Sequence, residues 1–106
     1  MKITNIKDYK DGWIVGGFKP SAFFTKDFEV CYKTHKKNEK WDAHYHKVGT
    51  EISLLISGEM VIQGKNLKSG DVFTIFPYEV ADPIFLTDCT VLVIKTPSDT
   101  SDKYKV

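Results

Sequence analysis

From Glu51 to Ser57 every second residue is aliphatic. Ile52, Leu54 and Ile56 share one face of an extended strand, and Glu51, Ser53, Leu55 and Ser57 share the other. The aliphatic face suits packing against another sheet or subunit, and the small polar face suits the wall of a cavity. The same period of two runs from Asp27 to Lys36. There Phe28, Val30, Tyr32 and Thr34 alternate with Glu29, Cys31, Lys33 and His35. No window of useful length carries helical periodicity. Further strands are predicted over Ile3 to Tyr9, Trp13 to Val15, Trp41 to His46, Met60 to Gln63, Val72 to Phe76 and Cys89 to Lys95, with Val80 to Leu86 a short strand or loop containing Pro83. Turn signals separate them: Gly58-Glu59, Gly64-Lys65-Asn66, Ser69-Gly70-Asp71 and Thr87-Asp88. Some eight or nine short strands at this spacing predict an all-β sandwich or barrel. A chain of 106 residues predicts one domain, 1–106, with a core over about 27–95 and a polar tail over 97–106.

Charge narrows the partners. Lys plus Arg number 15 and Asp plus Glu number 14, so the net charge is +1. Nothing in that balance marks a nucleic-acid or anionic-membrane surface. Lys33, Lys36, Lys37 and Lys40 cluster, but Glu39 and Asp42 interrupt them, which reads as a solvated loop or edge. No apolar run reaches ~18 residues. The first residues, Met1 to Asp8, lack the apolar stretch of a signal peptide, so the expected location is cytoplasmic. Cys31 and Cys89 sit in strand-like runs and read as buried free thiols, with no Cys-x-x-Cys pair.

The chemistry concentrates in Trp41-Asp42-Ala43-His44-Tyr45-His46-Lys47-Val48-Gly49-Thr50-Glu51. His44 and His46, at i and i+2, point the same way from a strand, and Glu51 follows past a short turn. Two imidazoles and a carboxylate make half a coordination shell for a divalent transition metal. An exposed His-x-His on a surface strand is the plainer alternative. Tyr45, between the histidines, faces away from them. Trp41, Tyr32 and Phe76 read as packing residues. His35 shares parity with Glu29 and Cys31, which makes it a candidate for acid–base work on the inner face.

On these residues the chain resembles the cupin superfamily. His44-x-His46, four residues, Glu51, six residues and Gly58 follow the family's first motif, although Lys37-Asn38 stands where that motif opens with glycine. Gly70-Asp71 opens the second motif, and Pro77 falls one residue later than usual. The position matching the third histidine is Asp82. The resemblance spans roughly Asp27 to Lys95. It implies a single-domain, double-stranded β-helix or jelly-roll barrel. It also implies a metal (Fe, Mn, Ni, Co or Zn) held by His44, His46, Glu51 and Asp82, although Asp82 reads equally as a turn aspartate before Pro83; Asp82 and, from its parity, His35 are the catalytic candidates. The expected function is a metal-dependent enzyme (oxygenase, isomerase or lyase) acting on a small polar molecule such as a sugar derivative or organic acid. A non-catalytic binding or regulatory domain and a metal-free structural barrel stand as alternatives. A homodimer is expected, because the face Ile52/Leu54/Ile56 and the small chain leave apolar area for a second copy to cover.

Overall fold

The structure is a computed structural model that describes residues 1–106. Its strands are β1 (Trp13–Gly16), β2 (Phe23–Phe24), β3 (Glu29–His35), β4 (His44–Tyr45), β5 (Thr50–Ser57), β6 (Glu59–Ile62), β7 (Lys65–Lys68), β8 (Val72–Ile75), β9 (Ile84–Phe85), β10 (Cys89–Thr96) and β11 (Tyr104–Lys105). Six strands form one sheet in the order β2-β1-β3-β10-β5-β8. Three form a second, β7-β6-β9, and β11-β4 form a two-stranded ribbon. A bridge between His44 and Ala81 ties β4 to the segment before β9. No helix is long and apolar enough to cross a membrane.

The alternation seen in the sequence decides which way each side chain faces. Across β3, β10, β5 and β8 the rows pair in register: Glu29–Lys95–Glu51–Ile75, and two residues along, Cys31–Val93–Ser53–Phe73. These rows face the interior. The rows between them, Val30–Ile94–Ile52–Thr74 and Tyr32–Leu92–Leu54–Val72, face outward. The apolar core is Leu55, Met60, Ile62, Ile75, Ala81, Phe85, Cys89 and Val91, contributed by the large sheet and by β6 and β9 opposite. Leu55 and Phe85 are fully enclosed, each worth about 2–3 kcal/mol of transfer from water. Cys31 and Cys89 are buried free thiols, and burial raises the Cys31 pKa to about 11.

Several sequence expectations need correction. Ile3 to Tyr9 is not a strand. Asn5 accepts from the Lys7 amide, Asp8 bonds back to the Asn5 amide, and the segment closes into a short 3-10 turn that buries nothing. The capping pair outweighs a weak alternation that had no sheet to join. Lys65-Asn66 is not only a turn but the start of β7, an exposed edge strand too polar to be recognised by hydrophobicity. The strand expected over Trp41 to His46 shrinks to His44–Tyr45. The strands also do not close into a hydrogen-bonded barrel. The large sheet ends at β2 and β8, and the smaller sheets pack across from it without a continuous ladder.

One tight junction governs the β5–β6 hairpin. Gly58 has φ +98, and a Cβ there would lie 2.4 Å from the Asp88 carbonyl oxygen. Backbone strain and clash coincide. Gly58→Ala is expected to cost about 2–3 kcal/mol. The check is the urea unfolding midpoint, which should fall while the slope stays unchanged; an unaltered midpoint would contradict this role for Gly58.

Candidate functional site

Between the sheets lies a cavity of about 620 Å³. His44, His46, Glu51, Glu29, Lys95 and Trp41 line its polar part, and Met60, Ile62, Phe73 and Ile75 line its apolar part. The cavity exists because the inward rows change character along β3, β5 and β10. Leu55 and Val91 fill space at one end, while Ser53 and the Glu29–Lys95–Glu51 row leave polar room at the other.

β4 and the residue that follows it deliver the two histidines. His44 and His46 are 7% and 5% exposed, with ring centroids 5.5 Å apart in an edge-on arrangement. His44 Nδ1 lies 3.2 Å from the Asp42 carbonyl oxygen. An N–H there donates to that carbonyl and leaves the lone pair on Nε2. Burial lowers the His44 pKa, against the pull of that carbonyl. Burial, followed by the charge of Lys95, lowers the His46 pKa to about 4. Both rings are therefore neutral at pH 7. Glu51 sits with Oε1 3.8 Å from His46 Nε2. Its pKa is raised by burial, and the Lys95 charge opposes that rise.

Lys95 is the group that the sequence reading missed. It is 5% exposed, its Nζ lies 3.0 Å from Glu29 Oε1, and it donates to the Asp99 carbonyl at 2.8 Å. Ser98 supplies a hydroxyl to Glu29 at 3.1 Å. The signal was present as parity. Lys95 continues the inward series Cys89, Val91, Val93, so a charged residue on that face was a buried one.

The C-terminal segment also belongs to the site. Asp102 is 3% exposed and accepts the backbone N–H groups of Lys47, Val48 and Gly49 at 2.8, 3.1 and 2.7 Å. Those three amides form the turn that joins His46 to Glu51. β11 then pairs with β4, and Tyr104 stacks on Tyr45 at 5.5 Å. Tyr45 accordingly faces away from the cavity. Residues 97–106 are thus a strap that fixes the spacing of the histidines and Glu51. No local pattern could have identified Asp102, because its partners are backbone groups more than fifty positions away.

Asp82 does not join the cluster. It is exposed, and its Oδ1 accepts the Gln63 amide at 2.8 Å, a turn role. The inward residue is its neighbour Ala81, 5% exposed and bridged to His44. The late Pro77 explains the discrepancy: counting from Gly70 puts the third histidine's place at Ala81, and counting from Pro77 puts it at Asp82. His35 does line the cavity. Its Nδ1 is 2.6 Å from Glu39 Oε2 and its ring stacks on Phe85 at 4.1 Å, so its orientation is fixed. Glu39 also accepts from the Trp41 indole at 2.6 Å. These bonds, led by the one to His35, lower the Glu39 pKa.

The donor chemistry bears on the metal expected of this motif. Two neutral imidazoles, one with its Nε2 lone pair set free by a backbone carbonyl, suit a transition metal. As the side chains lie, no group of three or more His, Cys, Asp or Glu residues is arranged to hold an ion. Metal bonds of ~2.1 Å put adjacent donors roughly 3 Å apart, closer than the 3.8 Å between Glu51 Oε1 and His46 Nε2. Ala81 offers no fourth donor. With Asp82 turned away and Ala81 inward, the lining does not offer a four-ligand cage.

No family model and no curated protein matches the sequence. Solved structures do match. A Klebsiella pneumoniae protein with a double-stranded β-helix domain is 20% identical with a TM-score of 0.70, over 77% of this chain and 72% of that one. A cupin protein from Bacteroides fragilis is 21% identical with a TM-score of 0.57, over 72% and 70%. The chain has the cupin fold. DMSP lyase DddQ from Ruegeria pomeroyi is a third cupin-fold neighbour, 13% identical with a TM-score of 0.73. The likeness covers 89% of this chain and 49% of the lyase. At these identities the likeness is one of cupin fold alone.

The Asp102 latch has a pH signature. Burial raises its pKa, but the three backbone N–H bonds outweigh this and leave it below the usual Asp value. The stability it adds is full above about pH 4, the ordinary Asp value, and is lost as pH falls through the depressed folded value. Asp102→Asn should cost about 2–3 kcal/mol at pH 7, with the deficit shrinking in acid. Thermal unfolding of both proteins from neutral to acidic pH checks this; a deficit independent of pH would refute it.

Proposed function

We propose that this chain is a small metal-dependent cupin enzyme that binds a compact organic molecule in the cavity, next to an ion held by His44, His46 and Glu51. One observation carries the reading. His44 and His46 are buried, neutral and adjacent, and the Asp42 carbonyl presets the His44 tautomer for Nε2 ligation. A divalent ion there would act as a Lewis acid on a ligand oxygen. The chain's own residues supply the rest. Glu51, on the inward row beside Lys95, would be the oxygen donor to the ion. Lys95, fixed by Glu29, holds positive charge beside it. His35, tied through Nδ1 to Glu39, presents an oriented ring to the cavity. The dry wall of Met60, Ile62, Phe73 and Ile75 excludes water from the ligand's body.

Purified protein should contain Mn, Fe, Co, Ni or Zn at about one ion per chain or bind it on addition. His44→Ala and Glu51→Ala should each weaken that binding roughly tenfold or more. Elemental analysis after dialysis is the check. Wild type that takes up none of these ions would defeat the metal reading.

We further infer a homodimer through the outward rows of the large sheet. Val30, Tyr32, Leu92, Ile94, Ile52 and Leu54 lie on neighbouring strands in register on the outward face, half-buried or exposed. Ile52 and Ile94 are each 36% exposed. A flat aliphatic face of this kind is self-complementary across a two-fold axis. Light scattering should give twice the 12.1 kDa chain mass, and Ile52→Lys with Ile94→Lys should give the monomer. A monomeric wild type at micromolar concentration would refute it.

A further inference from the structure

We infer that the cavity's ligand is an organic anion, its charged group held by the ammonium groups of Lys33 and Lys103 at the Trp41 wall. The inference rests on the reading that the cavity binds a small molecule, and adds what kind.

Lys33 comes from β3, on the inward parity of Glu29, Cys31 and His35, and Lys103 comes from the C-terminal strap directly after Asp102. Both line the cavity. Their Nζ atoms sit over the same indole, 5.4 Å and 4.8 Å from the Trp41 ring centroid. Neither is in a salt bridge: the paired lysines are Lys95, with Glu29, and Lys105, with Asp42. Two nearby carboxylates have other partners, while Glu51 lies 3.8 Å from His46 and feels the charge of Lys103. Glu29 holds Lys95 and Ser98, and Glu39 holds His35 and the Trp41 indole N–H.

Two like charges over one ring repel each other, and a ring quadrupole is a weak substitute for a counter-ion. An anion beside the ring would offset these charges and accept charge-assisted hydrogen bonds from the ammonium groups. The indole cannot rotate away, because its N–H is bound to Glu39. His44 lies next along the wall, with its ring centroid 6.2 Å from that of Trp41, so a ligand anchored here reaches the histidines. Met60, Ile62, Phe73 and Ile75 line the same cavity. That apolar wall has no use for a purely inorganic ion and suits a hydrocarbon body. A carboxylate on an apolar frame matches both kinds of lining.

The test uses metal-free protein in EDTA. Calorimetric titrations compare carboxylates from butyrate to decanoate, and phenylacetate, each with its neutral amide, and include inorganic phosphate. At least one carboxylate should bind, its amide roughly tenfold more weakly. Lys33→Gln and Lys103→Gln should each lose roughly tenfold for that carboxylate and little for the amide, while Lys36→Gln on the exposed surface changes neither. Circular dichroism confirms folding of each variant. The proposal is overturned if carboxylate and amide bind alike, if inorganic phosphate is preferred, or if nothing in the series binds. Metal uptake by the same variants is measured separately. Anion binding without metal uptake would sink only the metal reading, and metal uptake with no charge preference would sink only this one.

Discussion

Glu29, Lys95 and Glu51 form a row of charges across three central strands, and the interior is organised around it. Lys95 is paired in register with Glu29 on one side and Glu51 on the other. Buried charge is costly unless it is paired and hydrogen-bonded, and an apolar row of similar volume would stabilise the sheet at least as well. Its presence keeps one end of the interior polar. It also sets the field at the histidines, since the charge of Lys95 helps to keep His46 neutral. Without that row the space between the sheets would close over aliphatic side chains, as it does around Leu55 and Phe85.

The strap completes what the row begins. Metal or ligand chemistry needs His46 and Glu51 at a set distance, yet a flexible turn separates them. Asp102 satisfies three amides of that turn with one carboxylate and so turns a loop into a fixed spacer. The same segment carries Lys103 to the Trp41 wall and Tyr104 onto Tyr45. A polar tail without hydrophobic periodicity thereby becomes part of the cavity.

Much of this was legible in the sequence. Period-two alternation in 27–36 and 51–57 gave the strands, their inner and outer faces and the all-β class, because burial on one side leaves a one-dimensional record. The His-x-His spacing gave the shared face of His44 and His46. Three features were not legible, for different reasons. β7 and β2 are short edges whose pairing depends on neighbours rather than composition. Asp82 was placed at the third histidine's position, but the inward residue is its neighbour Ala81: a one-residue displacement, such as that of Pro77, moves a side chain to the other face. Asp102 acts through backbone amides far along the chain, which side-chain patterns do not encode. Lys95 was the recoverable omission: its parity was correct, and only its charge argued against burial.

A double-mutant cycle on the Glu29–Lys95 pair tests the central claim most directly. Each of Glu29→Met and Lys95→Met should destabilise the fold by about 3–5 kcal/mol, since each strands a buried charge. The double variant should be more stable than either single one, because two apolar chains of similar length replace the pair. Single variants near wild-type stability, or losses that simply add in the double variant, would mean that the pair is solvated and does not organise the interior.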